Sequence, residues 1–429
     1  MLPECRTEED LFSIPKFNVD ERDIGEFINE LKCFHGEFSD CFTRSEPKEN
    51  LFRYMVGQFS ELERKSIEPI AINVEGGKVR SMQRFISDVV WDESKILVKY
   101  RNMINEDIGD PNGVLIFDET SFAKKGNDSV GVAKQYCGSL GKVDNCQVGV
   151  FAAYASRHGY ALLDKRLFIP EKWFTAEYAA KVKKCMVPAE IAFKTKPLLA
   201  VEMLSKIQEE GVLPFRYVLA DSIYGNSPEF INAVESIPGV TYFVSIPSDT
   251  LCWLKKPITM EKQYKYKGEI RSRLVVEKTE KNPISVKFLA ANINDYFWYR
   301  RKVSEGTKGP IEYEFTKLRI TLSKNNLPDK AVWLIIKRTI EKEPTYSYCI
   351  SNVPLSTRLK TFVWLSGMRW AIEQCFEETK TELGMDQYEV RKYPGWNHHV
   401  LTCMLGHFFL WHLKIRLGKK STSYYSVAA

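Results

Sequence analysis

Apolar positions recur at helical spacing through the first hundred residues, as Ile24, Phe27, Ile28 and Leu31, then Leu51, Met55, Phe59 and Leu62, then Phe85, Ile86, Val89 and Val90. This predicts a helical bundle, with no repeat or Gly/Ser linker inside it. From about residue 112 the pattern shortens to β-type runs, Val114 to Phe117, Val130 to Tyr136 and Cys146 to Tyr154, parted by Gly-containing turns such as Gly138 to Gly141. Three such runs predict an antiparallel meander. A helix follows, with Pro197 near its start, Leu198, Val201, Leu204 and Ile207 on one face, and Gly211 past its end. Tyr217 to Ala220 then reads as a buried strand, Pro228 to Ser236 as a helix and Val240 to Ile246 as a strand. The predicted order is β-β-β-α-β-α-β.

Residues 250 to 352 return to strand-like alternation, in Ile284 to Leu289, Ile311 to Leu322, Ala331 to Ile336 and Tyr346 to Ile350, with Asn325-Asn326 and Pro-containing turns between. Phe362 to Leu383 and Val400 to Leu417 then read as helices. The fold class expected is α/β with a β-rich block inserted. The boundaries expected are a helical N-terminal domain over 1–105, an α/β core over 106–249, the β-rich insertion over 250–355 and the rest of the core over 356–429.

Charge sharpens this division. Residues 251–350 carry 21 Lys/Arg against 11 Asp/Glu, whereas residues 1–105 carry 15 against 20. The basic surplus is interleaved with aromatics, in Lys262, Tyr264, Lys265, Tyr266 and Lys267, and in Tyr296, Phe297, Trp298, Tyr299, Arg300, Arg301 and Lys302. Cations neutralise phosphates and aromatic faces stack on bases, so the mixture suits nucleic acid, while a solvated strand face with aromatics packed inward gives the same pattern. No run reaches the roughly 18 apolar residues of a membrane span, and the acidic start Met1 to Asp10 lacks a signal peptide's basic and apolar regions. A cytoplasmic protein with no membrane partner is expected. The ten cysteines include no C-x-x-C pair, which argues for reduced, mostly buried thiols. Gly141-Lys142 lacks the spacing of a phosphate-binding loop, so no nucleotide cofactor is expected.

Three carboxylates stand out. Asp118 is read as closing the strand Val114 to Phe117, and Asp221 as closing Tyr217 to Ala220. Such residues often cap turns, but two strand-end carboxylates on one sheet can also converge on a hard cation. On the helix after the insertion Arg369, Glu373 and Lys380 sit at i, i+4 and i+11, within an arc of roughly 40° on one face. They read either as an exposed ion-pair ladder or as a metal-binding carboxylate flanked by phosphate-holding cations.

Asp118-Glu119-Thr120-Ser121-Phe122 with Lys124-Lys125-Gly126, Ser129 to Val132, Gln135 to Gly138 and Gly141 to Val148 resembles the first catalytic block of DDE-type insertion-sequence transposases, in the bacterial family numbered seven hundred and one. Ala220-Asp221-Ser222-Ile223-Tyr224-Gly225 is similar to the second block, and Arg369-Trp370 with Ile372-Glu373, Phe376 and Lys380 to the third. The resemblance spans about Phe34 to Leu410. It implies a ribonuclease-H-like core, interrupted by the β-rich insertion, in which Asp118, Asp221 and Glu373 hold two Mg2+ ions that Mn2+ may replace. Asp118 would serve both ions, Asp221 one and Glu373 the other, for endonucleolytic hydrolysis at transposon ends and strand transfer into target DNA. Their position beside these blocks suggests Arg369 and Lys380 on phosphates and Lys124 and Lys125 along the DNA path, while Trp298, within the basic aromatic stretch, reads either as stacking on a displaced base or as ordinary sheet packing. By family analogy the N-terminal helices recognise the element end. The partners implied are double-stranded DNA and a second copy of the chain in a synaptic complex, with nucleoid association when DNA is bound. One departure is that the tyrosine of the related Tyr-x2-Arg-x3-Glu-x6-Lys signature is Ser366 here.

Two other classes compete: a transposase-derived DNA-binding protein without catalysis, and a glycosidase working with two carboxylates. The intact acidic set argues against the first, and the basic insertion gives the second no advantage.

Overall fold

The structure, a computed structural model, describes residues 11–12, 21–267, 269–306 and 309–427. The acidic start Met1 to Asp10 and Cys5 lie outside the described residues. In chain order the main elements are α1 (Glu21–Gly36), α2 (Ser45–Phe59), α3 (Ile67–Asn73), α4 (Val79–Ser87), α5 (Glu93–Ile108), β1 (Val114–Ala123), β2 (Ala133–Cys137), β3 (Lys142–Ser156), β4 (Gly159–Phe168), α6 (Ala179–Lys184) and α7 (Lys196–Glu210). Then come β5 (Tyr217–Ala220), α8 (Ser222–Gly225), α9 (Pro228–Glu235), β6 (Thr241–Ser245), β7 (Leu251–Trp253), β8 (Thr259–Tyr266), β9 (Glu269–Val276), β10 (Ile284–Ser285), α10 (Val286–Ala291), β11 (Tyr299–Gly306), β12 (Gly309–Lys324), β13 (Leu327–Arg338) and β14 (Tyr346–Ser351). The chain ends in α11 (Leu359–Met368), α12 (Trp370–Leu383) and α13 (Tyr393–Val427). This is a mixed α/β protein, as expected. No helix among the described residues is long and apolar enough to cross a membrane.

The chain folds as two compact units. The terminal unit joins Phe12–Phe215 to the chain from Trp370 onward, and the central unit is Arg216–Arg369. These cuts fall at 215/216 and 369/370, away from the sequence boundaries at 249/250 and 355/356.

In the terminal unit β3 is the organising strand. It pairs with β1 over Cys146 to Ala155, with β2 over Lys142 to Cys146 and with β4 over Val148 to Ser156, all antiparallel. The expected meander is therefore corrected: β2 meets only the start of β3, and β4, absent from the sequence reading, covers the rest of that edge. Helix α13 is buried along Val400 to Phe409 and joins the N-terminal helices to this sheet. Tyr54 Oη lies 2.8 Å from His399 Nδ1, Gln58 Nε2 donates to Cys403 Sγ, the rings of Phe27 and Phe409 meet edge to face, and the His398 ring stacks on Trp91 at 4.1 Å. Burial pulls both imidazoles down to about 4, so they are neutral packing groups at pH 7.

Beneath β4 lies a buried charge network. Asp164 is fully buried, accepts from Lys165 N–H and Arg166 Nη1 at 2.7 Å each, and sits 2.9 Å from Arg101 Nη2 without hydrogen-bond alignment. Arg101 also reaches both oxygens of Glu210 on α7.

In the central unit β5 and β6 pair in parallel, β6 continues antiparallel to β14, and the order then runs β13, β12, β7 and β10, with β11 also on β12. The β12–β13 turn is Asn325-Asn326, both at positive φ (52° and 60°), as a two-residue hairpin turn of opposite hand to the common β-turn requires. The predicted strand Ile284 to Leu289 is mostly helix: Ser285 Oγ accepts from Phe288 N–H and caps α10. β8 and β9 form a separate two-stranded sheet.

Candidate nuclease residues

In the terminal unit Asp118 does not close its strand. β1 runs on to Ala123, and Asp118 is paired with Phe151 in mid-ladder, followed by Glu119 opposite Val150 and Thr120 opposite Gly149. The polar run after Phe117 stays extended because β3 continues beside it. Val114 to Phe117 are buried and residues 118–120 only half-buried, so the strand carries its acidic pair out of the core. Asp118 Oδ1 accepts from the Glu119 N–H at 2.8 Å, which fixes the carboxylate's orientation, and Glu119 Oε1 is ion-paired with Lys196 Nζ at 2.7 Å. Lys196 opens α7 and escaped the sequence reading, because only the fold brings it to β1.

Helix α12 buries Ala371, Ile372, Cys375, Phe376, Thr379 and Leu383, leaving Glu373 exposed in its first turn and Lys380 half-buried in its last. Seven residues is nearly two full turns, so both side chains leave the same side of the helix. Lys380 Nζ donates to Thr120 Oγ1 at 2.7 Å and approaches Ser121 O at 3.4 Å. It thereby ties α12 to the strand that bears Asp118, and burial lowers its pKa.

Lys124 is likewise engaged internally. Its ammonium sits 3.5 Å from the centre of the Tyr388 ring and donates to Tyr388 O, and burial pulls it down to about 8. Lys125 beside it is exposed. Lys65, between α2 and α3, is buried and donates to the carbonyls of Gln58 and Glu382 near the ends of α2 and α12.

In the central unit Asp221 does follow its strand directly, and its Oδ1 accepts from Ile223 N–H at 2.9 Å, capping the single turn α8. Arg369 is not on the helix that carries Glu373. α11 ends at Met368, α12 starts at Trp370, and Arg369 stands at the junction, with helical φ and ψ of −58° and −30°. Trp298 is 8 % exposed, with the Arg338 guanidinium 4.1 Å over its ring and Tyr346 packed edge-on. A base stacking on that face has to displace a guanidinium that Glu314 and Asp295 hold. The exposed aromatics of this stretch are Tyr296, Phe297 and Tyr299.

Each unit thus presents an oriented carboxylate, Asp118 beside the paired Glu119 in one and Asp221 in the other, with Glu373 exposed on α12 of the first. The donors are all oxygen, with no histidine or cysteine among them, which suits hard divalent cations and not zinc or copper.

Comparison with known proteins gives this set a context. Residues 37–310 match the family model described as DDE superfamily endonuclease. A probable transposase for insertion sequence element IS701, from Microchaete diplosiphon, is 26% identical over 345 residues, covering 80% of this chain and 77% of that relative. Among solved structures, the piggyBac transposase synaptic complex with hairpin DNA aligns over 92% of this chain and 76% of that one at TM-score 0.42 and 9% identity. The NurA nuclease from Sulfolobus solfataricus aligns over 69% of this chain and 87% of that one at TM-score 0.28 and 11% identity. At these scores neither structural likeness bears on fold or chemistry. The family match contains Asp118 and Asp221 and ends before Arg369, Glu373 and Lys380.

Proposed function

The chain belongs to the DDE superfamily of endonucleases and is a DNA transposase, and we propose that Asp118, Asp221 and Glu373 together hold its catalytic cations in a ribonuclease-H-like core. The observation that carries this reading is the treatment of the first two carboxylates. Within a family match covering both, each has one oxygen held by a backbone N–H, at 2.8 Å for Asp118 and 2.9 Å for Asp221, and is therefore aimed before any ligand arrives. Glu373 joins them on the resemblance of its sequence block and on the Lys380 bridge that fixes its helix to β1.

All-oxygen carboxylate sets take Mg2+, which Mn2+ may replace. When bound, a pair of such ions supplies an activated water or hydroxyl, a stabilised leaving oxygen and neutralisation of the phosphoryl charge. The protein's own part is positioning. Asp118, Asp221 and Glu373 would hold the ions, Lys380 would keep Glu373 in place, and Arg369 would hold a flanking phosphate. Lys125 lines the DNA path with Lys124, whose ammonium remains mostly charged at pH 7 over the Tyr388 ring. Hydrolysis adds water across a phosphorus–oxygen bond at the element end and frees a 3′-hydroxyl; that hydroxyl then attacks a target phosphodiester in the same site, forming a new phosphorus–oxygen bond as the target strand's own 3′-oxygen leaves with a proton. Two ends have to be held at once, so the working species is a dimer on double-stranded DNA, acting in the bacterial cytoplasm.

Incubating end-labelled DNA that carries the element end with the full chain tests this. Cutting is expected with Mg2+ and none with EDTA. A duplex that is retarded on a gel yet stays intact under both conditions makes the chain a non-catalytic DNA-binding protein and refutes the reading.

A further inference from the structure

The β8–β9 hairpin is a two-stranded sheet with most of both faces exposed to solvent. Isolated two-stranded ribbons are marginal in water, so a protein that keeps one gains something from its faces. Its register puts Met260/Val275, Lys262/Arg273, Tyr264/Arg271 and Tyr266/Glu269 on one face, and Thr259/Val276, Glu261/Leu274, Gln263/Ser272 and Lys265/Ile270 on the other. The second face is electrically balanced, with one lysine and one glutamate. The first gathers Lys262, Arg271 and Arg273 against the single carboxylate of Glu269 near the tip. Lys262 and Arg273 are direct cross-strand partners, a like-charge pairing that costs stability until an anion lies over it. The two arginines also lie over tyrosine rings, Arg273 at 5.5 Å from the Tyr264 centroid and Arg271 at 5.0 Å from that of Tyr266. Arg271 also donates from Nη2 to Glu269 Oε2 at 3.0 Å, an exposed pair whose carboxylate a phosphate can replace.

We infer that this ribbon is a DNA-gripping arm whose Lys262/Tyr264/Tyr266/Arg271/Arg273 face lies against the phosphates of a duplex. The inference rests on the DNA transposase reading. Strands of eight residues span about 25 Å, and a two-stranded ribbon is of a width that the major groove, roughly 12 Å across, admits. The opposite face, with Leu274 and Ile270, points away from the duplex.

The test is the salt dependence of binding of the full chain to a fluorescent mixed-sequence duplex, measured in EDTA so that nothing is cut. The variant K262A/R271A/R273A should weaken binding and lower the slope of log K against log salt by between about two and three, at about 0.9 for each phosphate no longer neutralised. R271K/R273K keeps the charge and should keep the slope, as should Q263A/S272A on the opposite face, and thermal unfolding of each variant reports whether it is folded. A folded triple variant with wild-type slope and affinity overturns the inference. If light scattering shows instead that it has lost self-association while the slope is unchanged, the ribbon is a contact between copies and the inference equally fails. The two readings fail separately. A wild-type chain with a steep slope that cuts nothing in Mg2+ refutes only the nuclease assignment, whereas a triple variant that binds and cuts like wild type refutes only the arm.

Discussion

Replacing Asp118 by Asn will remove DNA cleavage, by at least about a thousandfold or on the order of 4 kcal/mol in the barrier, while leaving DNA binding in EDTA within about twofold of wild type. Asparagine keeps the shape of the side chain and an oxygen able to accept the Glu119 N–H, so the β1 ladder and the half-buried position are undisturbed. What it loses is the charge that makes the group a cation ligand. Glu119 does not substitute, because its carboxylate is already paired with Lys196. Single-turnover cleavage of labelled DNA in Mg2+ checks the first part and fluorescence anisotropy the second. Cleavage surviving within tenfold would move the chemistry to other residues.

Asp164→Asn should destabilise the protein by about 3 kcal/mol, the low end of the cost of removing one partner from a buried ion pair. The carboxylate is fully buried between Arg101 and Arg166, and its loss leaves both guanidiniums short of a counter-charge. Glu210 continues to compensate Arg101, which keeps the expected cost at that end of the range. The double variant Arg101→Met/Asp164→Leu removes the two most deeply buried charges together, leaving the partly exposed Arg166 and Glu210 each short of one counter-charge, and should cost less than Asp164→Asn alone. Guanidinium unfolding of the three proteins decides it. A double variant worse than the single one would mean that the network stabilises more than the packing replacing it.

The same network explains why β4 was illegible in the sequence. Asp164-Lys165-Arg166 in the middle of Gly159–Phe168 looks like a solvated loop, and only α5, α7 and α13, distant in sequence, supply the groups that make those charges tolerable inside. Elements held by local signals were readable: α7 from Pro197 near its start to Gly211 past its end, the β12–β13 turn, and β5 with Asp221 at its end. Asp118 was found as a residue but misplaced as a strand end, since the continuation of β1 through Glu119 to Ala123 depends on β3 and not on local propensity. Arg369 was placed on the wrong side of a helix break that leaves its own dihedrals helical and so has no sequence signature. The charge and aromatic content of residues 259–276 was visible, but which face each residue takes needed the register.

The central claim is that the carboxylates of Asp118, Asp221 and Glu373 share one pair of divalent cations. Electron paramagnetic resonance titration of Mn2+ into the DNA-bound full chain measures this directly. Two tightly bound ions are expected for the wild type, with at least one lost in each of D118N, D221N and E373Q. Equal Mn2+ occupancy in the wild type and all three variants would contradict it.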